Sequence, residues 1–150
     1  MVSVRFFADQ LTYMRLSGPL LTPHHNALGR STNERTYSRV NNREVGATIA
    51  TYFPDFSNII DIVIFGYSVG GTTECGRFKD YQTQLLVMSA ISASGATRQA
   101  VSHTKASLGM GNQVEVVQAV VNVIQRFSTW NGELVAKVDV KELAKKMGSS

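Results

Sequence analysis

The stretch DYQTQLLVMSAISASG, residues 80–95, constrains this chain more than any other. Between 85 and 93 almost every position is apolar or small: Leu85, Leu86, Val87, Met88, Ala90, Ile91 and Ala93. It reads as a helix, with Asp80 as N-cap and Gly95 as its C-terminal stop. A helix that is apolar on nearly every face has to be buried all round. The chain must therefore supply cover for it, from its own helices or from another copy.

Two more helices follow. ATRQAVSHTKASLGMG predicts one from about 96 to 108, stopped by Gly109 and Gly111. Ala96, Ala100, His103 and Ser107 share one of its faces. NQVEVVQAVVNVIQRFSTWNG predicts the next, with Asn112 as N-cap and Glu115 at capping-box spacing. Val114, Val117, Val121 and Ile124 form one apolar stripe along it. Val116, Val120, Val123 and Phe127 form a second, leaving a polar face of Glu115, Gln118, Asn122 and Gln125 or Arg126. The segment is too long for a strand. A last helix is expected from Gly132 into the lysine-bearing tail KELAKKMGSS, a solvated helix end.

The first half is less regular. Val4, Phe7, Leu11 and Met14 give residues 2–16 the spacing of an amphipathic helix. SGPLLTPHHNALGRSTN then reads as a loop or extended arm, rich in Pro, Gly, Ser, Thr and Asn. His24 and His25 lie in it, and an adjacent pair with no third ligand nearby does not make a metal site. EVGATIATYF predicts a short helix ending before Pro54. Between Pro54 and Gly71 the β-branched run could be a strand. Helical spacing through Phe56, Ile59, Ile60, Val63 and Ile64 fits equally well. The domain reading is an N-terminal arm over 1–43, a helix plus a loop, and a helical domain over 44–150. The fold class is all-α.

Composition supports an assembly. Only 17% of the 150 residues are charged, where about 25% is usual. The excess apolar surface fits subunit interfaces. The net charge of +4 comes without a basic run interleaved with aromatics, which excludes a nucleic-acid footprint. The longest apolar run, IIDIVIF, is too short to span a membrane. One cysteine, Cys75, allows no disulfide within the chain and fits a reducing, cytoplasmic setting. Six arginines against Asp9 and Glu34 in the first 43 residues also resemble an organellar import bias.

For chemistry, His103 is the side chain suited to move a proton near neutral pH. Its small neighbours fit the close approach of another helix better than a pocket. Gly66, Tyr67, Ser68, Val69 and Gly70 satisfy the Gly-x-Ser-x-Gly pattern. The required helix does not follow, and no α/β alternation surrounds it.

Residues 46–140 resemble the carboxymuconolactone decarboxylase family of the alkyl hydroperoxidase D-like superfamily. The likeness runs in order through PDFSNIIDIVIFGYSV, FKDYQTQLLVMSAISASG, HTKASLGMGNQVEVVQAVV and FSTWNG. It implies a helical bundle that assembles through its apolar helices, commonly as trimers or hexamers. It also implies decarboxylation of a lactone acid without metal or organic cofactor. An enolate forms and is reprotonated, and the family's histidine falls on His103. Where the family has Arg-Glu this chain has Thr83-Gln84, and Ala119, Val123 and Asn131 replace an acid, a Gln or His, and a proline. The stretch before His103 lacks the CxxC of the redox branch, so thiol peroxidase chemistry is not expected.

The resemblance, together with the charge lost at these positions, implies a small-molecule lyase or isomerase/cyclase acting on an apolar carbonyl or lactone substrate. His103 would carry the proton and Gln84 would hydrogen-bond a carbonyl or enolate oxygen. Phe65 and Trp130 would be pocket walls, Asp61 a second titrating group, and Arg77 an anion contact. The other implied class is a non-catalytic oligomeric scaffold that kept the fold.

Overall fold

The computed structural model describes residues 22–40, 43–133, 135 and 137–148. All regular structure among them is helical. The helices are α1 (Pro23–Tyr37), α2 (Arg43–Tyr52), α3 (Pro54–Ile59), a π-helix (Ile60–Gly70), α4 (Gly71–Glu74), α5 (Asp80–Ala93), α6 (Thr97–Gly109), α7 (Val114–Trp130) and α8 (Val140–Gly148). The helix expected over 2–16 lies outside the described residues.

The C-terminal half matches its periodicity. Met88 of α5, Val117 and Val121 of α7 and Val140 of α8 are the buried centre, with Leu85, Leu108, Val114 and Val120 packed around them. The stripe Val117, Val121 and Ile124 is buried, as its spacing predicts. Gly95 and Gly132 take left-handed backbone, φ +75° at each, and end α5 and α7 without the Cβ penalty another residue would pay there.

Four expectations are corrected. The loop read over 17–33 gives way to α1 from Pro23. Thr22 is its N-cap: Thr22 Oγ1 accepts from the His25 backbone N–H at 3.4 Å, and His25 Nδ1 lies 3.3 Å from the Thr22 backbone nitrogen. Pro23 sits at the first helical position, where its missing N–H costs nothing. Asp80 is inside α5, whose N-cap position is Lys79, and Asn112 does not cap α7, whose N-cap position is Gln113. Asn112 is instead buried and donates to the Tyr81 carbonyl at 2.8 Å and to Ser107 Oγ at 2.9 Å. The last helix starts at Val140 and not at Gly132.

Helix α5 is not covered on all sides within one chain, in line with an apolar surface wider than a single small chain can hide. Met88 is fully buried, yet Leu86 is 54% exposed. On α7 the second stripe is also open: Val123 is 65% and Phe127 56% exposed.

The ambiguous stretch after Pro54 is helical, but wound more loosely than an α-helix. In Ile60–Gly70 the bonds reach back five residues: the Gly71 N–H meets Gly66 O. This winding changes which side chains face inward. Phe65, Gly66, Val69 and Gly70 are buried, while Phe56, Ile59 and Ile64 of the expected α-helical stripe are exposed. Helix α1 lies along this segment and also touches α6. The approach is close enough that a Cβ on Gly29 would collide with the Asp61 carbonyl, and one on Gly66 with the His25 carbonyl.

Candidate functional site

The α1–π-helix pair and the α5–α6 pair meet around His103. Helix α6 carries the imidazole inward from its small-residue face, where Ala100, His103, Thr104, Ala106 and Ser107 are all buried. Helix α5 runs beside it and brings in Gln84, 2% exposed. Helix α1 delivers Tyr37 from its last turn, and the π-helix delivers Phe65.

These side chains form one hydrogen-bonded chain. Gln84 Nε2 lies 3.0 Å from His103 Nδ1 and 3.2 Å from the His103 carbonyl oxygen. The Tyr37 hydroxyl lies 2.9 Å from His103 Nε2. The phenol ring meets both the imidazole and the Phe65 ring edge-on, with centroids 5.6 and 5.9 Å apart. Edge-to-face packing of this kind adds about 0.5–1.5 kcal/mol per pair beyond area burial.

The directions of these bonds follow from one carbonyl. A backbone oxygen only accepts, so the Gln84 atom facing the His103 carbonyl has to be its NH2. An amide nitrogen offers no lone pair, so in its 3.0 Å contact with Nδ1 it is again the donor. Nδ1 therefore accepts, and the neutral ring carries its proton on Nε2. The Nε2–H donates to the Tyr37 oxygen, and the phenolic proton is not used in this chain.

Electrostatics keep the chain uncharged. Burial pushes the His103 imidazolium pKa down to about 4 and the Tyr37 phenol up to about 12. At neutral pH the chain is amide, neutral imidazole and neutral phenol. His103 is thus not a preloaded acid.

The expected site residues divide. His103, Gln84 and Phe65 come together around Tyr37. Asp61 sits four residues before Phe65 on the π-helix and accepts from Asn33 Nδ2 at 3.0 Å, tying it to α1. Trp130 is 80% exposed, packs at 5.7 Å on Phe127, and borders a cavity of about 780 Å³ together with Gln125, Arg126 and Lys137. A second cavity, of about 510 Å³, lies between Arg39, Leu108 and Met147. His103 lines neither. Arg77 is exposed in the connection between α4 and α5.

Tyr37 is the member of this group that no sequence pattern singles out. Its partner is 66 residues away, and nothing near it marks it. His25 and His24 have structural partners: His25 caps α1 and packs against Tyr67, and His24 Nε2 lies 3.0 Å from Glu74 Oε2. Ser68 is exposed on a helix, so the strand-to-helix elbow that a nucleophilic serine needs is absent there. Among the described residues no three His, Cys, Asp or Glu side chains gather to hold a metal ion, and no helix is long and apolar enough to cross a membrane.

No protein-family model, curated protein or solved structure matches this chain.

Proposed function

We propose that this protein is a small-molecule enzyme that moves a proton next to the carbonyl of an apolar ketone or lactone, as a decarboxylase-like lyase or an isomerase/cyclase. The observation that carries this reading is the buried Tyr37–His103–Gln84 chain beside Phe65. Buried polar networks of this kind cost desolvation, and titratable groups strongly shifted by burial concentrate at functional sites. A chain held neutral suits an uncharged carbonyl compound better than a dianionic lactone diacid. The resemblance over 46–140 supplies the reaction class, including chemistry without metal or organic cofactor.

The test needs no prior substrate. A panel of apolar ketones, enones and lactones is incubated with the protein in heavy water, and exchange next to the carbonyl is followed by NMR. At least one compound is expected to exchange faster than in buffer. His103→Ala should slow that exchange by about 10²-fold or more, the scale of losing a positioned hydrogen-bond network at a developing enolate. No acceleration for any compound would reject the reading.

A second reading, a homo-oligomeric binding or scaffold protein, is favoured by the open outer stripe of α7. Val116, Val123, Phe127 and Trp130 are 43%, 65%, 56% and 80% exposed on one face. Assembly through this face is compatible with an enzyme as well. The resemblance points to a trimer or hexamer.

A further inference from the structure

We infer that Tyr37 is the residue that meets the substrate, donating its hydroxyl proton to the oxygen of a neutral ketone or lactone, and that His103 and Gln84 are positioning residues acting through it. The inference rests on the proposed carbonyl chemistry and names the contact atom. Exposure points the same way as bonding. Gln84 is 2% and His103 7% exposed, whereas Tyr37 is only half-buried. Of the three residues, only Tyr37 keeps surface from which a ligand can be met.

The bond directions leave the phenol with one proton to give. Gln84 is held by the His103 carbonyl, so Nδ1 is occupied as an acceptor. The Nε2–H is committed to the Tyr37 oxygen. Neither ring nitrogen offers a free lone pair to a substrate C–H or O–H. The phenolic proton is not committed to the chain, and the described residues contain no further hydrogen bond from it. A phenol whose oxygen already accepts a hydrogen bond is a stronger donor, because bonds in such a series polarise one another. Phe65, 6% exposed and edge-on to the phenol, fixes the ring's tilt and supplies an apolar wall. Gln84, His103 and Tyr37 are all uncharged at neutral pH, so the oxygen that suits them is that of a neutral carbonyl.

The experiment uses cyclohexanone carrying carbon-13 at its carbonyl, added to the full chain. In the wild type the bound carbonyl signal should move downfield, as a hydrogen-bonded carbonyl does. Tyr37→Phe should abolish that movement and loosen binding about fivefold, the worth of one neutral hydrogen bond. His103→Ala should reduce the movement without abolishing it. Nitrogen-15 spectra of the unliganded protein should show His103 protonated at Nε2 and bare at Nδ1, which a purely packing role would not dictate. A downfield signal that survives Tyr37→Phe and is lost in His103→Ala overturns this inference and leaves the proposed function standing. A proton found on Nδ1 overturns it as well. A probe that shows no movement in the wild type overturns the inference together with the carbonyl reading it rests on.

Discussion

The Gln84 amide nitrogen sits between two acceptors of one residue, 3.0 Å from His103 Nδ1 and 3.2 Å from the His103 carbonyl. This placement sets the histidine tautomer from the backbone outward. It also makes Gln84 a sensitive position. Gln84→Glu would set a carboxylate oxygen against a carbonyl oxygen, while attracting a proton onto the ring. The His103 pKa should rise from about 4 by at least one unit, because a neighbouring anion favours the imidazolium. Folding stability at pH 7 should fall by about 1–3 kcal/mol, the cost of leaving a buried polar group badly paired. NMR titration of the imidazole and urea denaturation measure the two effects.

The same burial predicts an acid limb in the stability profile. His103 has a folded pKa of about 4, against 6.5 in an exposed chain. The folded state therefore binds fewer protons than the unfolded state between these values. Stability contributed by this group is complete above pH 6.5 and is lost as pH falls towards 4. The full loss is on the order of 3 kcal/mol. Denaturant melts at pH 7, 5.5 and 4 on the wild type and His103→Gln should show this limb in the first and a flatter one in the second. Equal slopes would mean that the ring is not held neutral by burial. Tyr37 behaves in mirror image: its folded pKa of about 12 exceeds the usual 10, so its contribution is kept below pH 10 and lost as pH rises towards 12.

Gly29 predicts a packing effect that no propensity scale contains. By helix propensity, Gly→Ala inside α1 should stabilise by about 1 kcal/mol. Here the added methyl would collide with the Asp61 carbonyl of the π-helix. Backbone cannot give way as a flexible side chain can, so Gly29→Ala should destabilise by about 2–3 kcal/mol. Thermal unfolding decides between the signs. Because α1 carries Tyr37, the variant should also loosen the Tyr37–His103 bond.

How much of this was readable in the sequence depended on where each residue's partner lay. Helices α5, α6 and α7 follow their own periodicity, and the buried stripe Val117, Val121 and Ile124 needed no tertiary knowledge. His103 and Gln84, 19 residues apart on successive helices, were linked by resemblance and are joined in the structure. The composition of α1 reads as a loop, because its Pro, Gly, Ser, Thr and Asn residues, Gly29, Ser31, Thr32 and Asn33 among them, disfavour helix. Its stability comes from lying along the π-helix, and the legible sign, Thr22 followed by Pro23, was outweighed by composition. The π-winding itself shifts the inward face from Ile59 and Ile64 to Phe65 and Val69, because a 3.6-residue template does not describe bonds that span five residues. Tyr37 had no local signal at all.

The outer face of α7 carries the last prediction. Val116, Val120, Val123, Phe127 and Trp130 are spaced by four, three, four and three residues, the repeat of a helix–helix seam. Only Val120 among them packs against the chain's own core. Exposed side chains that contribute little within one chain should tolerate change there, while any seam between copies should not. Val123→Lys should shift the unfolding free energy of the isolated chain by no more than about 0.5 kcal/mol. In an assembly it would bury an unpaired ammonium, which costs several kcal/mol and dissociates the copies. Sedimentation velocity should show the wild type as an oligomer and Val123→Lys as a folded monomer. A wild type that sediments as a monomer across the micromolar range would remove α7 as an assembly surface, leaving the Tyr37–His103–Gln84 site to be judged within a single chain.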